Sequence, residues 1–545
     1  MKTKFTVKQI LAVVLSLLMV LAVSIPAFAE EPTTYSITIN NADGLADMVN
    51  GQFTAYYIFT GAVGTVTGTG NGTTGTMTDV AWADATAGAN LLAALKGTTV
   101  DADVTAALKE AFKDATTAIH VAEVLESKAG DAAFLQAFAK VAKKYLTAAG
   151  TSTTDGDTYT ISGLAAGYYL VVQNSDIQDE NGKDGIRSSF ILQVVNKNVE
   201  VDLKADIPTV EKAVSDTSAG IGDIVKFTLT ATLPNNFTDY AKYFLQFNDT
   251  LSDGLELVID ASHPLTVAID DDALVNGSTP ETTYYSTTAV NAKEDKDFTV
   301  TFTDLRDDKF DGMVDNESVI TVTYYAKVLT TAANIENNKV DLTYSNDPNT
   351  TGTGTTVEDI VYVHNYNVEV TKKGTDGKDL TGAKFYLTNA AGEYATADAN
   401  GKITGWVAKT DDKVPATAAT FTSNNGKFTI TGLDAGKFTL IEYEAAKGYG
   451  TIDNVTFTIT AVISEDGATV TSVTVAIDGG DTANAAVGND SNEKDHTVYL
   501  GLVDPTDSNL PNTGGIGTTI FYILGGLMVI GAAAYLVISK KKSRA

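Results

Sequence analysis

Short runs in which apolar and polar residues alternate, each closed by a turn signal, dominate this chain between residues 30 and 508. Val368-Glu369-Val370-Thr371 and Lys226-Phe227-Thr228-Leu229-Thr230 are typical. A period of two puts every second side chain on one face, the pattern of a half-buried strand. Asn-Gly and Asp-Gly pairs at Asn71-Gly72, Asn276-Gly277, Asp376-Gly377 and Asn425-Gly426 mark hairpin turns. Strands this short and this regularly interrupted predict a mainly β chain of tandem immunoglobulin-like sandwiches. One stretch departs from the pattern. Residues 85–148 are Ala-rich, with helical spacing in Leu91–Leu95 and Phe134–Val141, and predict two or three helices inserted in the first domain.

A length of 545 residues suggests three or four domains at roughly 150 residues each. Breaks in composition at Ala205-Asp206-Ile207-Pro208 and over the polar segment Asn346–Thr356 divide the chain into 30–205, 206–355 and 356–508. An internal similarity supports the division. Tyr159–Gln173 aligns without gaps on Phe428–Glu442, so the first and third domains are expected to share a sandwich core, with Gln173 standing where Glu442 stands. Acids outnumber bases by 68 to 38, for a net charge of −30, which repels nucleic acid and anionic membrane surfaces. The chain has no cysteine, so disulfides, thiolate catalysis and cysteine metal sites are excluded. Its four histidines, His120, His263, His364 and His496, are far apart and form no HExxH, leaving little for a zinc hydrolase. No metal or cofactor is expected.

The two ends read as targeting segments. Residues 1–29 carry a basic start (Lys2, Lys4, Lys8), an apolar run from Ile10 to Ile25 and the small-x-small triplet Ala27-Phe28-Ala29, the pattern of a secretory signal peptide. At the other end stand Leu510-Pro511-Asn512-Thr513-Gly514, an uncharged apolar run at 520–538 long enough to span a bilayer, and a basic tail at 540–545. This three-part order resembles the cell-wall sorting signal of Gram-positive surface proteins. The resemblance implies that a sortase cleaves between Thr513 and Gly514 and passes the Thr513 carbonyl to an amine, and that the protein is secreted and held at the peptidoglycan.

Two lysines stand out because they fall in the inward phase of a strand. In Pro208–Val214 the alternation puts Lys212 on the same face as Val210 and Val214. A buried lysine is costly unless it is paired or deprotonated. Asp249 lies in the apolar frame of Phe247–Leu255, and Asn338 is in phase with Val340, Leu342 and Tyr344. An amine, an acid and a carboxamide thus project toward one predicted core. These segments together resemble the isopeptide-forming fimbrial domain of Gram-positive backbone pilins, over about 206–348. The resemblance implies that Lys212 attacks the Asn338 carboxamide with Asp249 as catalyst. The second lysine, Lys372, is in phase with Val368 and Val370. With Gly382–Leu387, Gly436–Glu442 and Gly448-Tyr449 it resembles a Cna B-type domain. There the family's glutamate falls on Glu442, and the acceptor falls on Asp504, in phase with Val498, Leu500 and Leu502 on the final strand. Asparagine is usual at that place; aspartate implies that water, not ammonia, is released. The first domain is expected to form no such bond, because Gln173 replaces the glutamate and its opening strand Tyr35–Ile39 holds no lysine.

In shaft pilins a lysine near the end of the first domain attacks the sorting-signal thioester of the next subunit. Lys204, in Val199–Pro208, occupies that place, although Leu203 stands where proline is common; Lys197 is the runner-up. The acidic cluster Asp304, Asp307, Asp308, Asp311, Asp315 and Glu317 fits no EF-hand spacing and reads as a solvated loop. The resemblance as a whole implies a non-enzymatic shaft subunit of a pilus. Its implied partners are a sortase, identical subunits, accessory pilins, peptidoglycan and a host or bacterial surface ligand. The rival reading is a monomeric wall-anchored adhesin.

Overall fold

The computed structural model describes residues 34–40, 51–67, 74–129, 131–155, 158–177, 185–187, 191–203, 206–289, 297–348, 351–480, 482–488, 496–507 and 516–542. The leader expected at 1–29 and the pentapeptide Leu510–Gly514 lie outside them. The chain is mainly β, as its alternation predicts. It separates into two compact units: one runs to Tyr366 with two short returns at 432–434 and 462–471, and the other holds the rest. The division at 205, inside the first unit, is not drawn by this separation.

The first unit contains two pairs of sheets. In the N-terminal pair, Tyr35–Asn40 lies antiparallel to Thr158–Leu164 and parallel to Val199–Asp202. The second sheet orders Thr74–Trp82, Gln52–Thr67, Gly167–Ser175 and Ile191–Val195. Ile37, Ile39 and Tyr159 of one sheet pack with Phe53, Tyr169 and Val171 of the other in one core. Gly167–Ser175 is buried on both faces over its first seven residues, because helices cover its outer side. Tyr168 and Leu170 join their core. Among the described residues of this stretch the helices number four, not two or three: α1 Ala85–Leu95, α2 Ala106–Phe112, α3 Ala118–Ser127 and α4 Ala132–Tyr145. The reason lies in the caps. The side chains of Asp84, Thr105, Thr117 and Asp131 each accept a hydrogen bond from a backbone N–H of the following turn, and such residues start helices more strongly than an Ala-rich run continues them.

The second pair of sheets in this unit holds the first lysine. One orders Thr209–Val214, Ile224–Thr232, Val319–Val328, Thr266–Ile269 and Asp272–Leu274. The other orders Ser286–Thr287, Asp297–Phe302, Leu245–Leu251, Ile335–Ser345 and Thr353–Thr355, with Asp359–His364 also on Ile335–Ser345. Phe227, Leu229, Val322 and Tyr324 of one share a core with Phe247, Val300, Val340 and Leu342 of the other.

In the second unit Tyr366–Gly374 lies beside Lys427–Leu433 and runs parallel to Thr497–Asp504. This is the arrangement that Tyr35–Asn40 makes with its neighbours, and the aligned hairpins Thr158–Ser175 and Lys427–Glu444 correspond strand for strand. Gly163 and Gly432 take positive φ values of 77° and 82° at the same point of each hairpin, a conformation that favours glycine. A final helix, α5, spans Ile516–Lys542. Among the described residues no helix is long and apolar enough to cross a membrane; the side chains of Val537 and Ile538, which complete the run at 520–538, lie outside the described set.

Candidate functional site

The strand Thr209–Val214 is the edge of its sheet, yet Lys212 turns inward and its side chain is 0% exposed. Its partner across that strand pair is Leu229, and the rings of Phe227 and Tyr324 lie 5.8 and 5.6 Å from its ammonium nitrogen. Asp249, from Leu245–Leu251, makes a short direct contact with Lys212 Nζ. Tyr324 Oη stands 3.1 Å from Lys212 Nζ and 2.9 Å from both Asp249 carboxylate oxygens. Asn338 Nδ2 donates to the same hydroxyl at 2.6 Å, and Asn338 Oδ1 is buried with no hydrogen-bond partner. Lys212 also donates to the Lys339 carbonyl at 3.1 Å, while Asp359 accepts from the Lys212 backbone N–H at 2.6 Å. Lys212, Asp249 and Asn338 therefore meet in one buried pocket of side chains.

Burial sets the charges here. It pushes the Asp249 carboxyl up to about 6, against the pull of Lys212, and lowers the Lys212 ammonium, against the pull of Asp249. Both shifts favour the neutral pair, an acid that can donate and an amine with a free lone pair.

Tyr324 completes the site and is not among the residues the sequence singles out. The signal was present, because Val319–Val328 alternates and Tyr324 shares the inward phase with Ile320, Val322 and Ala326. A buried tyrosine needs a partner for its hydroxyl, but only the cross-sheet packing reveals that the partner is this site.

The second cluster is built the same way in the second unit. Tyr366–Gly374 supplies Lys372, Gly436–Glu444 supplies Glu442 and Thr497–Asp504 supplies Asp504. The parallel register pairs Lys372 with Leu502 and Gly374 with Asp504, so the acid lies two positions along on the adjacent strand. Lys372 Nζ contacts Asp504 Oδ1 directly and stands 3.1 Å from Glu442 Oε2. All three side chains are 0% exposed, with the Phe385 ring 5.2 Å from the ammonium. The Ile452 backbone N–H donates to Glu442 Oε2 at 3.0 Å. Glu442 Oε1 and Asp504 Oδ2 are buried without partners. Burial pushes Glu442 up to about 7, against the Ile452 N–H and Lys372. Two carboxyls facing one ammonium are best accommodated when one of them is neutral.

That electrostatic account is open to test in a Lys372→Met chain, which has no amine at this position. With the ammonium that opposes it gone, burial holds Glu442 well above the ordinary carboxylate range in the folded chain, and the unfolded chain restores that range. A carboxyl raised in this way contributes stability that is present below its unfolded pKa and is lost as pH rises through its folded one. The melting temperature is expected to fall by on the order of 5 °C between pH 5 and pH 8. Equal melting temperatures at the two pH values would mean that Glu442 is not desolvated.

The remaining predicted residues are placed as follows. Gln173, buried at the position of Glu442, donates through Nε2 to the Ser175 and Ile186 carbonyls at 2.7 and 2.9 Å. Lys204 lies outside the described residues, as does the Leu510–Gly514 motif. Lys197 is exposed between Ile191–Val195 and Val199–Asp202. Of the acidic cluster, Asp307, Asp308, Asp311, Asp315 and Glu317 are exposed, and Asp304 accepts from the Tyr243 and Arg306 N–H groups. Among the described residues no group of His, Asp and Glu is placed to hold a metal.

Comparison with known proteins bears on both units. Residues 366–476 match a family described as SpaA, a prealbumin-like fold domain, and residues 503–543 match the LPXTG cell wall anchor motif. No curated protein matches the chain. Among solved structures, the T6 backbone pilin of serotype M6 Streptococcus pyogenes aligns at a TM-score of 0.52 and 15% identity, over 88% of this chain and 100% of that one. The full-length major pilin SpaD from Corynebacterium diphtheriae aligns at 0.45 and 17%, over 89% and 100%. The major pilin subunit BcpA of Bacillus cereus aligns at 0.37 and 14%, over 87% and 99%.

Proposed function

The chain is a cell-wall-anchored surface protein with the fold of a Gram-positive backbone pilin, and from that premise we propose that it is the shaft subunit of a covalently polymerised pilus. Its domains are 30–205, 206–355 and 356–508. The observation that carries the reading is the pair of buried lysines, each in contact with a carboxylate and set beside a carboxamide or carboxyl acceptor. Lys212 condenses with Asn338, assisted by Asp249, and releases ammonia. Lys372 condenses with Asp504, assisted by Glu442, and releases water. Fixed positions in a dry core supply the high effective concentration that such a reaction needs without an outside enzyme. The chain is thus a structural protein whose chemistry is directed at itself.

Each cross-link ties an early strand of its domain to a late one. Lys339, beside the acceptor Asn338, is 127 residues from Lys212, and Asp504 is 132 from Lys372. Load applied along the chain passes through these links and not through the intervening strands. Subunits join head to tail when a sortase transfers the Thr513 carbonyl of one to Lys204 of the next, a repeated operation that does not close and so gives a filament. The terminal subunit passes to peptidoglycan.

Gel electrophoresis of cell-wall extracts after boiling in SDS tests this. The unmodified chain is expected to give a ladder of high-mass bands, Lys204→Ala a single monomer band, and Lys197→Ala the full ladder. A ladder that survives Lys204→Ala and is lost with Lys197→Ala would move the junction to Lys197. No ladder from the unmodified chain would make the protein a monomeric wall-anchored adhesin.

A further inference from the structure

The Asp249 carboxylate contacts Lys212 and Tyr324, and Asn338 Nδ2, the nitrogen that must depart, donates to the Tyr324 hydroxyl. One oxygen thus touches the attacking nitrogen, the leaving nitrogen and the acid. We infer that Tyr324 is a catalytic residue of the Lys212–Asn338 condensation, relaying a proton from Asp249 to the departing Asn338 nitrogen. The inference rests on the reading that this bond forms.

The balance of the step requires a proton on the departing nitrogen, and the hydrogen bond of that nitrogen runs to Tyr324 Oη. Lys212 first gives a proton to Asp249, and the freed lone pair of Nζ attacks Asn338 Cγ. The new C–N bond forms while the carbonyl π pair moves to Oδ1. Before attack the amide nitrogen has no basic lone pair and can only donate, as it does to Tyr324 Oη at 2.6 Å. Attack makes Cγ tetrahedral and Nδ2 basic, and the hydrogen bond reverses. Asp249 then protonates Tyr324 Oη as the Tyr324 proton passes to Nδ2. The Asp249 carboxylate so formed takes the surplus proton from Nζ. The oxyanion closes back to a carbonyl, the Cγ–Nδ2 bond breaks, and ammonia leaves. The products are a neutral amide, neutral ammonia and a protonated Asp249, so charge and protons balance without an outside acid.

The surroundings fix Tyr324 for this task. Its ring stacks on Phe227 with centroids 5.5 Å apart and meets Phe298 edge-on at 4.9 Å. Both contacts survive removal of the hydroxyl alone. Burial, reinforced by Asp249, also pushes the phenol well above its ordinary pKa, which keeps it protonated until the reaction begins.

The test follows bond formation by intact mass and peptide mapping at timed intervals after folding is started from newly made, denatured chain that has never folded and so has not yet condensed. Tyr324→Phe is expected to slow loss of ammonia at Lys212–Asn338 by on the order of 100-fold or more, the usual worth of positioned proton transfer. Loss of water at Lys372–Asp504, in the other unit, should proceed at its normal rate, and resistance of residues 206–355 to trypsin scores folding around Tyr324 itself. Tyr324→Met removes the ring contacts as well as the hydroxyl and should slow the bond at least as much as Tyr324→Phe. A relay acts through its acid, so the slow residual condensation of Asp249→Ala, followed over days after folding, should be no slower when Tyr324→Phe is added, whereas a purely packing role would add its cost to both. An unmodified chain with no Lys212–Asn338 bond would overturn the underlying reading. A normal bond formed at an unchanged rate in Tyr324→Phe, or additive losses in the double variant, would overturn the relay alone.

Discussion

Asp249→Ala is expected to return the mass of one ammonia to the chain and to lower the melting temperature of the 206–355 region by about 10–20 °C. The first effect follows from contact. Asp249 is the only carboxylate hydrogen-bonded to Lys212 Nζ among the described residues, so without it the amine loses both its base and its proton source. The second follows from chain entropy. A cross-link closing a loop of more than a hundred residues is worth about 5 kcal/mol on the loop-closure model. At roughly 2–4 °C per kcal/mol for a domain near 150 residues, its loss reads as the shift stated. Lys212, left with the Tyr324 hydroxyl and the Lys339 carbonyl, discharges in place of staying buried and unpaired. Calorimetry with intact mass on the same sample checks both. A variant that still lacks the ammonia would show that the acid has been misassigned.

Glu442 variants are expected to lose the Lys372–Asp504 bond and to separate proton transfer from packing. Both Glu442→Ala and Glu442→Gln should regain one water in mass, because neither side chain can pass a proton. They should differ in stability. Gln retains an oxygen for the Ile452 N–H, which now bonds to Glu442 Oε2 at 3.0 Å. Ala leaves that buried donor unsatisfied at a further cost of about 1–3 kcal/mol. Each variant loses about 5 kcal/mol from the 132-residue loop. The first sandwich already carries the glutamine version at this hairpin position, where the Gln173 amide is committed to two backbone carbonyls. Bond formation in Glu442→Gln at the normal rate would remove Glu442 from the chemistry.

What could be read from the sequence was whatever a period of two encodes. Lys212, Asn338, Lys372 and Asp504 each sit in the apolar phase of their strands, so their inward direction followed from alternation, and the structure buries all four. Which inward residues meet across the sandwich is a matter of register between sheets, and alternation says nothing of that. Tyr324 escaped for this reason, sitting next to Tyr325 in a strand whose phase was legible but whose opposite number was not. The helix count failed for a different reason. Ala-rich periodicity over 85–148 marks helix, but the breaks lie in single capping residues, Thr105, Thr117 and Asp131. Tyr168–Val172, buried on both faces, does not alternate, and the helices cover its outer side.

The claim that these buried lysines are reagents and not merely ion pairs is met most directly by the intact mass of a secreted 30–508 fragment, with mapping of the joined peptides. The mass should fall short of the sequence mass by one ammonia plus one water, with Lys212 joined to Asn338 and Lys372 to Asp504. A fragment at its full sequence mass would contradict the account at both sites.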